Sequence, residues 1–361
     1  MRRVLLLIAL AALLALPVRA QSVAEQEAKI LGADTLYDGL DSDARALLGD
    51  APPTAADFGK SLWRVITQTL SELPLREALR TGGMLLAVLV LCALCADLDA
   101  SLSARAVSLA GALGLTAICA GSLRSMIGLA TETLDRVGSF TTLLLPVLSA
   151  ALTASGGVTS GAALYVGSMM FFDALVRLVR GLLIPLTYAY VAVAAAECAA
   201  GEGRLLRLCE LIDWSIRSLL KGVLYLFTAY LAITGIVTGS SDEAAVKAAS
   251  SALGAAVPVV GSILSDAAGS VLAGARLVKN SAGVFGVLAL LSIGLAPFLR
   301  IGLHYLVLKG ATAIGGTLDA GTNAKLLEKL TTAMGYMLAM TGSCILMSLL
   351  SCCCFMKAVG I

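Results

Sequence analysis

The chain alternates long apolar tracts with short polar interruptions. Apolar runs of spanning or near-spanning length begin near Gly82, Ala106, Ser139, Ser160, Gly181, Gly222, Ala282, Ile301 and Thr332. A straight crossing of a bilayer needs about 20 apolar residues, so these runs predict about seven to nine spans. The predicted fold is all-α, a polytopic transmembrane helical bundle. Pro and Gly cut several runs short of a full crossing, which predicts broken or re-entrant segments. Such segments are tolerated where protein or a water-filled cavity covers the freed backbone groups.

Two interrupted runs are alike. Pro146-Val147-Leu148-Ser149, followed by Leu152-Thr153 and Gly157, lies 112 residues before Pro258-Val259-Val260-Gly261, followed by Leu264-Ser265 and Gly269. At the same offset Pro185 falls on Pro297. An internal repeat would divide the membrane part into halves, 139–250 and 251–361, as transporters are often divided, with a path lined at corresponding breaks. The plainer reading is that Pro and Gly recur in any membrane bundle. Candidate path or partner-contact residues are Pro146, Ser155, Gly156, Gly157, Thr159 and Ser160 in the first break, and Pro258, Asp266 and Gly269 in the second.

Before the first long run the pattern differs. Arg2-Arg3, the apolar stretch Val4 to Leu16, Pro17 and Val18-Arg19-Ala20 form the three regions of a cleavable signal peptide, with cleavage expected after Ala20. An uncleaved first helix is the alternative. Residues 21–80 are polar and helix-prone, broken at Ala51-Pro52-Pro53-Thr54, and are expected outside the cytoplasm. Phe58 to Ile66 continues amphipathically toward Leu73-Pro74. This stretch either lies along the headgroups with Trp63 at the interface or offers a docking surface to a partner. Residues 81–361 form the multispan domain.

Composition supports this picture. Of 361 residues, 58% are hydrophobic and 14% charged, far below the quarter usual in soluble domains. Abundant small residues suit closely packed membrane helices. Removing Arg2, Arg3 and Arg19 from the 26 basic residues leaves 23 against 24 acidic, a net charge of −1. No concentrated basic face marks a nucleic-acid partner. Orientation rests on basic residues near helix ends. The loop expected from Gly201 to Lys221, with Arg204, Arg207, Arg217 and Lys221, is placed on the cytoplasmic face; Arg276 with Lys279, and Lys325 with Lys329, compete for that assignment.

Candidate chemistry is sparse. Of nine cysteines, only Cys209 sits in an expected polar loop, and residues 21–80 hold none, so no disulfide framework is indicated. Cys92-x-x-Cys95 and Cys352-Cys353-Cys354 read as small packing residues rather than a redox pair or a metal site. His304 is the one histidine, which excludes a His-rich metal site and a Ser-His-Asp triad. Ser155-Gly156-Gly157-Val158-Thr159-Ser160 lacks the pattern of a phosphate-binding loop and reads as a helix break. No ATPase motif, cofactor site or catalytic set is present. Asp97, Asp99, Glu132, Asp135, Asp173 and Glu197 are expected at helix ends; Asp266 stands out because a charge inside an interrupted membrane segment often marks a pathway.

From Asp213-Trp214-Ser215-Ile216 through Leu219-Leu220-Lys221 the chain runs on to Tyr225-Leu226-Phe227, Thr234-Gly235-Ile236-Val237-Thr238-Gly239-Ser240 and Ala245-Val246-Lys247-Ala248-Ala249. Val257-Pro258-Val259-Val260-Gly261, Ile263-Leu264-Ser265-Asp266, Val278-Lys279-Asn280 and Pro297-Phe298-Leu299-Arg300 follow. With Leu145-Pro146-Val147-Leu148 and Thr153 to Ser160, this succession resembles the stage III sporulation protein AE family of endospore-forming Firmicutes. The resemblance is specific over about residues 140–310 and looser toward the ends. It implies a component of the channel-like complex joining mother cell and forespore, in the mother-cell membrane around the forespore; with no ATPase motif or catalytic set in the sequence, the expected role is that of a non-enzymatic subunit. The partners implied are other proteins of the same sporulation operon and a forespore membrane partner. It carries over no catalytic residue. The alternative is a permease moving a small solute or ion through a path lined by the two interrupted segments.

Overall fold

The computed structural model describes residues 36, 38–48, 58–98, 104–200, 203, 205–256, 261–318 and 322–358, leaving aside the side chains of 96–98, 104–105, 108, 200, 235–256, 261–278, 318 and 322. The predicted signal peptide and Pro258 lie outside the described residues. Among those described, the fold is helix and turn without strand. Two short helices, α1 (Ser42–Leu48) and α2 (Phe58–Ser71), precede α3 (Leu75–Leu98) and α4 (Ala104–Ala154). Next come α5 (Val158–Leu178) and α6 (Ile184–Ala200), joined by a π turn at Val179–Leu183. The chain ends with α7 (Leu206–Ala256), α8 (Gly261–Leu318) and α9 (Thr322–Lys357).

Among the described residues, six helical tracts are long and apolar enough to cross a membrane, where the whole chain was expected to hold seven to nine spans. The apolar runs are fewer helices than runs because pairs of runs are continuous. Those beginning at Ala106 and Ser139 are both α4; those at Ala282 and Ile301 are both α8; those at Ser160 and Gly181 join through the π turn. Polar residues separate the runs in sequence without stopping the helix, because the helix satisfies its own backbone regardless of side chain. The first long helix also begins at Leu75, inside the segment read as external.

The helices are much longer than a bilayer is thick. At about 1.5 Å per residue, the 51 residues of α4 reach roughly 77 Å and the 58 of α8 roughly 87 Å. The hydrocarbon layer is about 30 Å, and observed tilts of up to about 40° leave both helices far too long for it. α4 therefore carries two apolar lengths end to end, and α8 one full apolar length that continues past Arg300. In α4 no charge lies between Arg105 and Arg124, or after Arg136; in α8 none lies between Lys279 and Arg300.

α4 turns back on itself through a tight hairpin. Gly157 N–H donates to Leu152 O at 2.9 Å and Gly156 N–H to Thr153 O at 3.0 Å, the double bond pattern of a Schellman cap. Gly156 holds φ +100°, a conformation that side chains disfavour. Beyond the turn, α5 and α6 run antiparallel to α4 along its length: Gly161 lies against Ser149 and Thr153, and Gly138 against Phe172. α8 and α9 form a second antiparallel pair, marked by Gly294 against Ile345 and by the Thr312–Thr331 hydroxyl contact at 2.9 Å. The pairs meet where Gly286 faces Leu144 and Cys352. α3 packs at one edge, Gly82 against Val307 of α8, and α7 at another, Tyr230 against Gly167 of α5. Glycine at these crossings lets backbones approach closely, which is how helices associate where burial from water gives no drive.

Candidate functional site, a charged girdle midway along the bundle

Helical spacing places Glu132 and Arg136 one turn apart near the midpoint of α4, with Asp135 beside them. This corrects the expectation that these carboxylates sit at helix ends. Arg136 Nε lies 3.0 Å from Asp41 and 3.8 Å from Glu132, and its terminal nitrogen lies 3.5 Å from Asp43. One guanidinium thus straps α1 to α4. Asp135 pairs with Arg180 of the π turn, tying the two tracts of the first hairpin together. Arg177 and Asp173 pair at 2.8 Å within α5 and its π turn approach.

The girdle continues on α7. Arg217 Nε sits 2.5 Å from Asp213, whose same oxygen accepts from the Tyr336 hydroxyl of α9. The Tyr336 ring meets Tyr190 of α6 edge-on at 5.4 Å. The segment read as a loop, Gly201 to Lys221, is thus helix from Leu206 onward, and Cys209 is a buried residue of that helix rather than a polar-loop residue. Periodic charges there gave one face to solvent and the other to packing, a pattern that apolar run-length cannot distinguish from a loop. From Asp173 to Tyr190 the girdle is roughly 25 Å deep along the helices.

A cavity of about 350 Å³ opens at this level between α1, α2, α4 and α8. Asp41, Gln68, Glu72, Arg136, Pro297 and Arg300 are among its lining residues. The hydroxyls in its walls are turned back onto their own helices: Thr69 donates to Val65 O at 2.7 Å, Thr133 to Leu129 O at 2.7 Å and Ser292 to Leu288 O at 2.8 Å. His304 is buried one turn further along α8, with Nδ1 3.0 Å from Arg300 O. Among the described residues no three His, Cys, Asp or Glu side chains gather as a metal site. The arrangement fixes helices in register.

The sequence-derived candidates fall elsewhere. Pro146 lies inside α4 on an exposed face, without ending the helix. Ser155 is buried and donates to Leu152 O at 2.8 Å, Gly156 and Gly157 make the turn, and Ser160 is buried while Thr159 is exposed. This break is therefore a closed hairpin between two full-length tracts. In the second candidate segment the backbone is helical through Asp266 and Gly269, whose side chains lie outside the described ones. The competing basic clusters separate: Lys325 and Lys329 share a pocket with Leu206 at one end, while Lys279 Nζ donates to Ala358 O at the other. The girdle residues Arg136, Asp213 and Tyr336 were not singled out. Their signal was the four-residue Asp213-to-Arg217 spacing; the partners in space are up to 123 residues apart.

Long apolar helices packed through glycine, with charges paired off at mid-length, define a multi-pass α-helical membrane protein. The family model described as stage III sporulation protein AE matches residues 55–358, and the chain belongs to that family. It is 24% identical over 237 residues to the stage III sporulation protein AE of Bacillus subtilis (strain 168), covering 66% of this chain and 59% of that relative. The chain thus spans less than two thirds of the relative's length. No solved structure matches. The protein is a sporulation membrane protein.

Proposed function

We propose that this chain is a non-enzymatic subunit of the channel complex connecting mother cell and forespore, seated in the mother-cell membrane around the forespore and serving endospore development. The observation that carries this reading is the strap of Arg136 onto Asp41 and Asp43, which fastens the outer segment to the bundle as a preformed docking face. Its partners on this reading are the other proteins of the sporulation operon and a forespore membrane protein, with lipid around the apolar tracts. The closed hairpin at Ser155–Gly157 favours this over a self-sufficient permease, whose path would need an open break there.

Two measurements test it. Full-length chain reconstituted alone in liposomes is expected to move no small solute or ion above empty vesicles, and solute flux abolished by Asp266→Ala would replace the subunit reading with the permease. In a spore-forming host lacking its own family member, affinity recovery of operon partners is expected with the intact chain. Recovery is expected to fall when residues 38–48 are deleted; unchanged recovery would remove the docking role.

A further inference from the structure

The end of the bundle where α6 turns into α7 and α9 begins holds a second cavity, of about 220 Å³. Glu197, Cys198, Leu206, Leu326, Lys325 and Lys329 contribute to its lining. Lys329 Nζ is buried there with no hydrogen-bond partner. An ammonium carries three donors and is poorly tolerated out of water unless something accepts them. Among the described lining residues the carboxylate is that of Glu197, which accepts the Leu205 N–H at 2.7 Å, stitching the turn, and pairs with neither lysine.

Lys325 and Lys329 stand four residues apart on α9, a spacing that puts two like charges side by side and is unfavourable without an anion between them. Two helices, α7 from Leu206 and α9 from Thr322, also begin at this end, and helix N-termini add partial positive charge. Ala194, Leu206 and Leu326 give the lining an apolar part beside the lysines. Basic pockets between membrane helices take anionic headgroups by this combination of charge and grease. We propose that the cup binds a phosphate-bearing anion, with Lys325 and Lys329 on the phosphate oxygens and the apolar wall against whatever the phosphate carries. The shared chemistry is a phosphate oxyanion, supplied either by an anionic phospholipid or by free phosphate.

The test uses the full-length chain in phosphatidylcholine nanodiscs. Replacing a quarter of the lipid with phosphatidylglycerol is expected to raise the thermal midpoint by about 3 °C. Lys325→Gln with Lys329→Gln should remove most of that rise, Lys329→Arg should keep it, and Lys221→Gln, which removes a charge elsewhere, should leave it intact. Inorganic phosphate at matched ionic strength separates the sources: a rise with phosphate alone assigns a free anion, and a rise with phosphatidylglycerol alone assigns a lipid. No rise with either, or equal responses from the double variant and the unmodified chain, overturns the site. Should the double variant fail to fold, native mass spectrometry of the unmodified chain decides, since retention of phosphatidylglycerol no greater than of phosphatidylcholine refutes the lipid source and leaves the phosphate titration to settle the rest.

Discussion

Gly167→Ala probes how α5 and α7 are held. A Cβ at Gly167 would overlap three atoms at the phenol end of Tyr230, so the ring has to leave. Leaving is costly because the ring is pinned twice: its hydroxyl donates to Ala163 O at 2.6 Å, and its face packs against Phe171 at 5.4 Å between centroids. Forcing one methyl into a packed contact costs about 2 kcal/mol, the lost hydrogen bond about 1, and the lost ring contact about 1. Alanine returns about 1 kcal/mol through its better helix propensity, leaving a net loss of about 3 kcal/mol. The assay is denaturant unfolding in detergent micelles, run as a double-mutant cycle with Tyr230→Ala. Because that second change removes the obstruction, the pair should couple favourably by about 2 kcal/mol. A Gly167→Ala protein as stable as the parent, or one whose loss simply adds to that of Tyr230→Ala, would show that the ring does not pin the two helices.

Three further outcomes follow from the geometry. Gly156→Ala should lower stability by about 1–2 kcal/mol in the same assay, because φ +100° strains any side chain; a neutral result would mean that the hairpin rearranges. Arg136→Gln should speed amide exchange across Ser42–Leu48 while changing global stability by less than about 1 kcal/mol, since the pairs are partly exposed; unchanged exchange would show that the strap does not hold α1. Tyr336→Phe keeps the ring contact with Tyr190 and should cost about 1–2 kcal/mol by leaving Asp213 one donor short; an unchanged stability would show that the hydroxyl does not tie α9 to α7.

The helical class and membrane character were legible from hydropathy alone, since no other fold spends so many consecutive apolar residues. The break at Ser155–Gly157 was legible too, because two glycines after a helical run mark a cap. Pro146 misled: proline removes one backbone donor, but neighbouring helices hold the axis, so α4 runs through it. Leu206 to Lys221 misled in the opposite direction, its charges suggesting a loop where Asp213 and Arg217 form a polar helix face. The girdle itself was beyond reach. Arg180 and Asp135 are 45 residues apart, and only the antiparallel register fixed by Gly138, Gly161 and the hairpin turn brings them together.

α4 runs unbroken from Ala104 to Ala154, and α8 from Gly261 to Leu318, so the two ends of the bundle are joined by stiff rods. Such rods convert a push at one end into a displacement at the other. The π turn at Val179–Leu183 is the opposite element, a local underwinding in the track beside α4, and it lies where Arg180 reaches Asp135. The first hairpin thus sets a widened turn, braced by an ion pair, against a rod that runs straight past it.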